Sequence, residues 1–251
     1  MKIIARDLSF GYNGKLPDKL LFKRFNVELE GDERPLVILG PSGSGKTTLL
    51  KILGGLLKAR EGDICYFGEG AGSAEAAPKT AFMFQEPRLL PWLTVLDNIS
   101  IPMEKEMGKE ESRVRARHFL SQVSLEEKEG AFPGELSGGQ AQRVSMARAF
   151  AWPASALFMD EPFQALDVPL RLHMMDLCLS LQEKENRLLI AVTHDPREAL
   201  YMGSRVIILG KAGEGIVYDR SVDLEPEDRT YGSAAMGEME REMVQWLGER
   251  G

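Results

Sequence analysis

Gly40-Pro41-Ser42-Gly43-Ser44-Gly45-Lys46-Thr47 fits the pattern G-x-x-x-x-G-K-[ST] and sits between the apolar run Leu36-Val37-Ile38-Leu39 and the helix-like stretch Thr48-Leu49-Leu50-Lys51-Ile52-Leu53. A buried strand, a glycine loop and a helix start in that order make a phosphate cradle. The glycines let successive backbone N–H groups turn inward, and the helix N-terminus adds positive potential. Lys46 then reaches the β- and γ-phosphates of a nucleotide such as ATP, and the Thr47 hydroxyl ligates Mg²⁺. A match of this kind arises by chance in such a chain about once in a hundred, so the loop alone supports nucleotide binding and nothing finer.

The flanking runs extend the reading to a fold. Leu36–Leu39, Thr80-Ala81-Phe82-Met83-Phe84, Ala156-Leu157-Phe158-Met159 and Leu188-Leu189-Ile190-Ala191-Val192 are short and continuously apolar. Parallel strands buried on both faces read this way. They end in turn at Gly40, Gln85, Asp160-Glu161 and Thr193-His194, and ligands of open parallel sheets bind at carboxyl ends of strands. A fifth run, Val206–Leu209, ends in no comparable residue and reads as structural. Earlier, Phe25, Val27 and Leu29 alternate with polar residues, which predicts a small antiparallel sheet near the N-terminus. Between Gln85 and Asp160 the pattern turns helical, with Ala116, Phe119, Leu120 and Val123 on one face. The expected class is therefore α/β, with a mostly parallel central sheet, an N-terminal antiparallel β-subdomain and an inserted helical subdomain.

We divide a single domain over 1–251 into a nucleotide-binding core with its antiparallel sheet (1–85 and 156–215), a helical subdomain (86–155) and a C-terminal extension ending in a helix (216–251). In that helix Met236, Met239, Met243, Trp246 and Leu247 recur at the spacing of a packing stripe. Arg113, Arg115 and Arg117 stand among acidic residues and read as a solvated helix face. Residues 69–79 are small and polar and predict a loop.

Asp160-Glu161 at a strand end is where a phosphate-loop enzyme keeps a second Mg²⁺-associated carboxylate and a base for the attacking water. Leu136-Ser137-Gly138-Gly139-Gln140 is more specific, because a fixed string of this length occurs by chance less than about once in a thousand. It opens a helix carrying Val144, Met146, Ala147 and Phe150, so a hydroxyl and bare amides face outward at that helix's start. A nucleotide already wrapped by Gly40–Thr48 needs no second cradle. The second one belongs to the nucleotide of another copy, and a homodimer with two ATP molecules follows.

Composition narrows the setting. The formal net charge of −7 argues against broad attraction to nucleic acid or anionic lipid. Two separated cysteines, Cys65 and Cys178, build neither a disulfide framework nor a zinc site and read as small buried hydrophobes. Charges near Met1 and the absence of a long apolar run predict a cytoplasmic chain that meets a membrane through a protein partner.

Together these residues resemble the ATPase subunits of ABC transporters over essentially the whole chain. The resemblance implies a P-loop NTPase core in which Gly40–Thr47 is the Walker A loop, Gln85 the Q-loop glutamine and a metal contact, and Leu136–Gln140 the signature. It also makes Asp160 the Walker B aspartate, Glu161 the catalytic glutamate, Ala165-Leu166-Asp167 the D-loop and His194 the switch histidine at the γ-phosphate. Tyr12 resembles the aromatic that stacks on adenine, with Phe10 as competitor.

The stretch Phe84–Ile99, Asp160–Asp167 and His194-Asp195 with Glu198-Ala199-Leu200 is similar to importer ATPases of the nitrate, sulfonate, taurine and bicarbonate group. That likeness implies a cytoplasmic, peripheral subunit docked under two integral membrane permease subunits and served by an external solute-binding protein, with no nucleic acid partner. Leu89-Leu90-Pro91-Trp92 suits a joint with those subunits, and packing of the helical lobe accounts for Trp92 and Leu93 equally well. Two departures stand out: Gln164 replaces the small residue usual before the D-loop, and the loop before Thr80 lacks the family's charged lead-in to the strand. An exporter or lipid-extraction ATPase shares every catalytic motif, and a nucleic-acid or ribosome ATPase is the remaining alternative.

Overall fold

Period-two and continuous apolar runs separate in space as they separate in sequence. The computed structural model describes residues 1–12, 20–31, 34–68, 78–164, 166–185 and 187–248. Its strands are β1 (Lys2–Phe10), β2 (Phe22–Glu30), β3 (Leu36–Leu39), β4 (Glu61–Phe67), β5 (Thr80–Met83), β6 (Ala156–Asp160), β7 (Leu188–Val192), β8 (Arg205–Leu209) and β9 (Ile216–Ser221). The main helices are α1 (Lys46–Leu53), α2 (Val95–Met107), α3 (Lys109–Gln122), α4 (Gly138–Ala151), α5 (Val168–Glu185), α6 (Pro196–Met202) and α7 (Ala234–Gly248).

β2, β1 and β4 form an antiparallel sheet in that order, and β5-β6-β7-β3-β8-β9 form the second sheet. In the second sheet every pairing is parallel except β8 with β9. Thus β9, in the segment read as an extension, adds an antiparallel edge strand. The expected small antiparallel sheet is the first one, and a β-bulge breaks its alternation. Asp7 and Arg24 there take left-handed backbone angles, and the Asp7 N–H donates to Asn26 Oδ1 at 2.9 Å.

The parallel sheet is the middle layer. Leu36 and Ile38 of β3 join the apolar cluster of α1 and the antiparallel sheet, while Val37 and Leu39 join the cluster of the helical side. Alternation of this kind is why these strands had to be apolar at every position. β6 divides likewise, with Ala156 and Phe158 on one face and Leu157 and Met159 on the other. The Phe158 ring is fully buried and stacks on Phe82 with centroids 5.0 Å apart.

Helices α2, α3 and the first part of α4 make the lobe, closed by Leu96, Ile99, Phe119, Leu120 and Val144. Thr94 caps α2, its hydroxyl accepting from the Asp97 N–H at 3.2 Å. Two of the three arginines of α3, Arg113 and Arg115, differ from the solvated face expected of them, and Arg117 keeps to it. Arg113 pairs with Asp97 of α2 at 2.5 Å, Arg115 donates to the Ala151 carbonyl closing α4 at 2.6 Å, and Arg117 pairs with Glu129 at 2.9 Å. Arg115 ties α3 to α4 because a long cationic side chain satisfies a helix-terminal carbonyl as readily as water does, while Arg113 ties it to α2 through a carboxylate.

In α7, Met236 and Met243 are buried and Met239, Trp246 and Leu247 pack on the same core, as the stripe predicts. Both cysteines are free, Cys178 buried and Cys65 partly exposed. Most of the 69–79 loop, residues 69–77, lies outside the described residues, as does Ala165.

Phe158→Ala removes a fully buried ring from one face of this layer, and a loss of about 3–5 kcal/mol is expected. Urea unfolding of the variant measures it, and a loss below about 1 kcal/mol would contradict the packing described.

Candidate functional site

The β3–α1 loop wraps a space rather than a side chain. α1 starts at Gly45 with φ +98° and no side-chain cap, so its first N–H groups face a cavity of about 540 Å³. Only glycine suits position 45: a Cβ there would lie 2.8 Å from Leu21 and Phe22. Gly43, at φ +80°, faces open space. Ser42, Gly43, Gly45, Lys46, Thr47 and Thr48 line this cavity, and Tyr12, Leu21, Gln85 and Glu161 complete its wall.

Inside the loop the Lys46 ammonium donates to the Gly40 carbonyl at 2.7 Å and the Pro41 carbonyl at 3.0 Å. Burial pulls the Lys46 pKa below its usual value, and the carboxylates of Glu161 and Asp160 oppose that shift. The Ser44 hydroxyl is buried and has no hydrogen-bond partner. The uncapped helix start and the buried ammonium form a donor set suited to phosphate oxygens, while the Ser44 hydroxyl lies behind the loop beside Gly40.

Asp160 ends β6 and accepts from the Thr47 hydroxyl at 2.9 Å. Its pKa is raised, mainly by burial, with the Thr47 bond acting against the rise. A hydroxyl and a carboxylate at this distance suit a hard divalent cation, which would also hold the carboxylate ionised. Glu161 follows in a left-handed backbone conformation, φ 47°, held by its N–H donating to the Val192 carbonyl at 2.9 Å. Such a conformation is costly for a residue with a Cβ and concentrates at functional positions. Glu161 lines the cavity, and His194, which does not line it, stands with Nδ1 3.3 Å from Glu161 Oε2.

Tyr12 and Phe10 separate cleanly. Phe10 is buried and Tyr12 is 60% exposed, edge-on to Phe10 at 5.1 Å. The Tyr12 hydroxyl shares a hydrogen bond of 2.9 Å with the Thr48 hydroxyl, so the aromatic beside the phosphate loop is Tyr12. Gln85 donates through Nε2 to Gln164 Oε1 at 2.7 Å, which gives the unusual glutamine before the D-loop a contact in the site.

Not every expected residue reaches the cavity. Ser137 caps α4 with its hydroxyl accepting the Gln140 N–H at 3.3 Å, while Gln140 Oε1 accepts the Ser137 N–H at 2.9 Å. None of Ser137, Gly138, Gly139 and Gln140 lines the cavity, and a Cβ on Gly138 would meet nothing within 4 Å. Asp167 also stands apart, accepting the Leu170 N–H at 3.0 Å at the start of α5. Sequence reading missed Leu21, the orphan Ser44 hydroxyl as a separate feature, and the Gln85–Gln164 contact. The only available signal was Gln164 itself, a long polar side chain where a small one is usual.

The helical lobe presents a further surface. Asn98 is buried and holds the preceding loop, accepting the Leu90 N–H at 2.7 Å and donating to the Leu90, Leu93 and Thr94 carbonyls. Leu89 packs on the core, while Trp92 remains 69% exposed. Arg148 of α4 donates to the Pro87 and Arg88 carbonyls, linking this loop to the helix that Ser137 opens.

Comparison with known proteins agrees with this geometry. Residues 22–164 match the ABC transporter family. The chain is 40% identical over 219 residues to the aliphatic sulfonates import ATP-binding protein SsuB of Escherichia coli K12, spanning 86% of this chain and 81% of that protein. It is 39% identical over 211 residues to the SsuB of Corynebacterium glutamicum, spanning 84% and 81%. Among solved structures it is similar to the ATP-binding cassette MJ0796 in a dimeric, post-hydrolysis state bound to ADP and Pi. That likeness has a TM-score of 0.77 at 30% identity and covers 89% of this chain and all of that one. The chain belongs to the ABC transporter family, among its ATP-binding, ATP-hydrolysing cassettes.

Proposed function

We propose that the chain works as a homodimer, hydrolysing two ATP molecules at its interface to power uptake of a small anionic solute, of sulfonate or nitrate type, through two integral membrane subunits. The observation that carries this is the split site: Lys46, Thr47, Gln85 and Glu161 line one cavity, with Asp160 bonded to Thr47, while Ser137–Gln140 do not line it. The direction of transport and the solute class rest on the sulfonate import proteins, which the chain resembles across most of its length. No helix among the described residues is long and apolar enough to cross a membrane. The rigid loop ending in exposed Trp92 suits a peripheral attachment to partner subunits at the cytoplasmic face, with an external binding protein supplying solute.

In this reading Lys46 and the loop amides hold the β- and γ-phosphates, and Tyr12 stacks on the base. Thr47, Asp160 and Gln85 would hold Mg²⁺, which would supply charge neutralisation on the phosphate oxygens. Glu161 accepts a proton from the attacking water as the water oxygen bonds to the γ-phosphorus. The bond to the β–γ bridging oxygen breaks with its electron pair leaving on ADP, and inorganic phosphate departs. His194 stands on the far side of Glu161 and positions the γ-phosphate. Ser137, Gly138, Gly139, Gln140 and Asp167 serve the nucleotide of the partner copy.

Glu161→Gln keeps the cavity and removes the base. Turnover is expected to fall by at least about a hundredfold with ATP affinity unchanged, measured by phosphate release and equilibrium binding. Wild-type turnover in that variant would remove Glu161 from the role. For transport, co-purification with multi-span subunits and ATPase stimulation by a binding protein loaded with a small sulfonate or nitrate are expected. Tight association with DNA or ribosomes instead, or solute export by the reconstituted complex, would contradict the import reading.

A further inference from the structure

The loop that carries His194 is fastened at both flanks to one guanidinium. In the first turn of α5, Arg171 NH1 lies 3.5 Å from Asp195 Oδ2 and 3.2 Å from Glu198 Oε1, and NH2 donates to the Leu166 carbonyl at 3.2 Å. The other oxygen of Glu198 accepts from the Thr193 hydroxyl at 2.5 Å, and that hydroxyl accepts the Asp195 N–H at 3.1 Å. Thr193 and Asp195 are the immediate neighbours of His194, so the network grips the backbone on either side of the histidine.

Its third anchor leads back to Glu161. From there the chain makes two tight turns, Gln164 N–H to the Glu161 carbonyl at 3.4 Å and Leu166 N–H to the Phe163 carbonyl at 3.1 Å. Arg171 thus spans from the Leu166 carbonyl, a few residues beyond Glu161, to the histidine loop. Glu198 is almost wholly buried, its side chain 7% exposed. Fastening α6 to the core requires no charge there, and burying a carboxylate is costly unless it is paired and hydrogen-bonded. What an arginine adds over an apolar contact is a planar fork that fixes the angle between its acceptors.

We propose that Arg171 is a positioning residue for ATP hydrolysis: through Leu166 on one side and Asp195 and Glu198 on the other, it sets His194 against Glu161. Arg171 does not line the nucleotide cavity, and its action passes through the histidine. The proposal rests on the hydrolytic roles assigned above to Glu161 and His194.

The test is a double-mutant cycle on steady-state ATPase, with unfolding midpoints recorded for every variant. His194→Ala is expected to lower kcat about a hundredfold. Arg171→Gln is expected to lower it about tenfold with KM for ATP within about twofold, since the phosphate loop is untouched. In the His194→Ala background Arg171→Gln should add no further loss, because its effect has no histidine left to act through. A merely structural arginine would lower the unfolding midpoint and multiply the two losses to about a thousandfold. That product, or an Arg171→Gln chain with wild-type kcat, overturns the proposal.

Arg171→Lys guards against misfolding, since it keeps Glu198 paired. One ammonium cannot span all three acceptors, so kcat should still drop several-fold at an unchanged unfolding midpoint, and full activity would overturn the claim. A His194→Ala chain as fast as wild type would instead sink the role given to His194, and a wild-type chain without ATPase activity the hydrolytic reading itself.

Discussion

The register of three adjacent parallel strands is the constraint on which the site depends. Asp160 of β6 stands beside Val192 of β7, and Val192 stands beside Ile38 of β3. The residues that follow continue the ladder, with Glu161 N–H donating to the Val192 carbonyl and Thr193 N–H to the Ile38 carbonyl. Because all three strands run the same way, the phosphate loop, the two carboxylates and the histidine loop leave the sheet at one level. A slip of one residue in any of them would turn Asp160 or Thr193 into the core and separate Thr47 from its partner. The apolar clusters on the two faces of the sheet hold that register, so the chemistry is positioned by packing some distance away.

Much of this was readable in advance because it is local. Strands buried on both faces must be apolar at every position, so β3, β6 and β7 read as runs, while β5, read the same way, is a half-buried edge strand; their ends named most of the site. Tyr12 and Phe10 could not be separated by type, both being aromatic near a strand end. Burial separates them, with Phe10 in the core and Tyr12 beside Thr48. Likewise the charges around Arg113, Arg115 and Arg117 read as a wet face, since nothing in a linear pattern says that the Ala151 carbonyl ends a helix next to Arg115. The Arg171–Glu198–Thr193 network was invisible for the same reason: its members come from three segments and meet only when α5 and α6 pack beside β7.

A second lesson concerns residues that the single chain leaves without a reason. Gly138 has open space where a Cβ would go, and its backbone needs no left-handed angle, so nothing within the chain demands glycine there. The start of α4 faces outward although the nucleotide cavity lies elsewhere. Arg148, on the same helix, holds the carbonyls of Pro87 and Arg88 beside Gln85. Whatever docks at Ser137 is thereby linked through α4 to the loop that carries exposed Trp92, the surface proposed above for the membrane subunits. Nucleotide state and partner motion would share one helix, which gives hydrolysis a route to mechanical work.

The central claim is that each ATP is enclosed by the phosphate loop of one chain and the signature of another. It is tested most directly in a Glu161→Gln background by adding Ser137→Arg and measuring ATP occupancy and molar mass in the same Mg²⁺–ATP solution by equilibrium binding and light scattering. The account predicts that the chain without Ser137→Arg has the mass of a dimer. With Ser137→Arg it should remain a monomer and bind ATP to its own cavity at the affinity a monomer shows in dilute solution. A loss of ATP binding by the monomer itself, or a dimer that forms as well with Ser137→Arg as without it, would contradict the account.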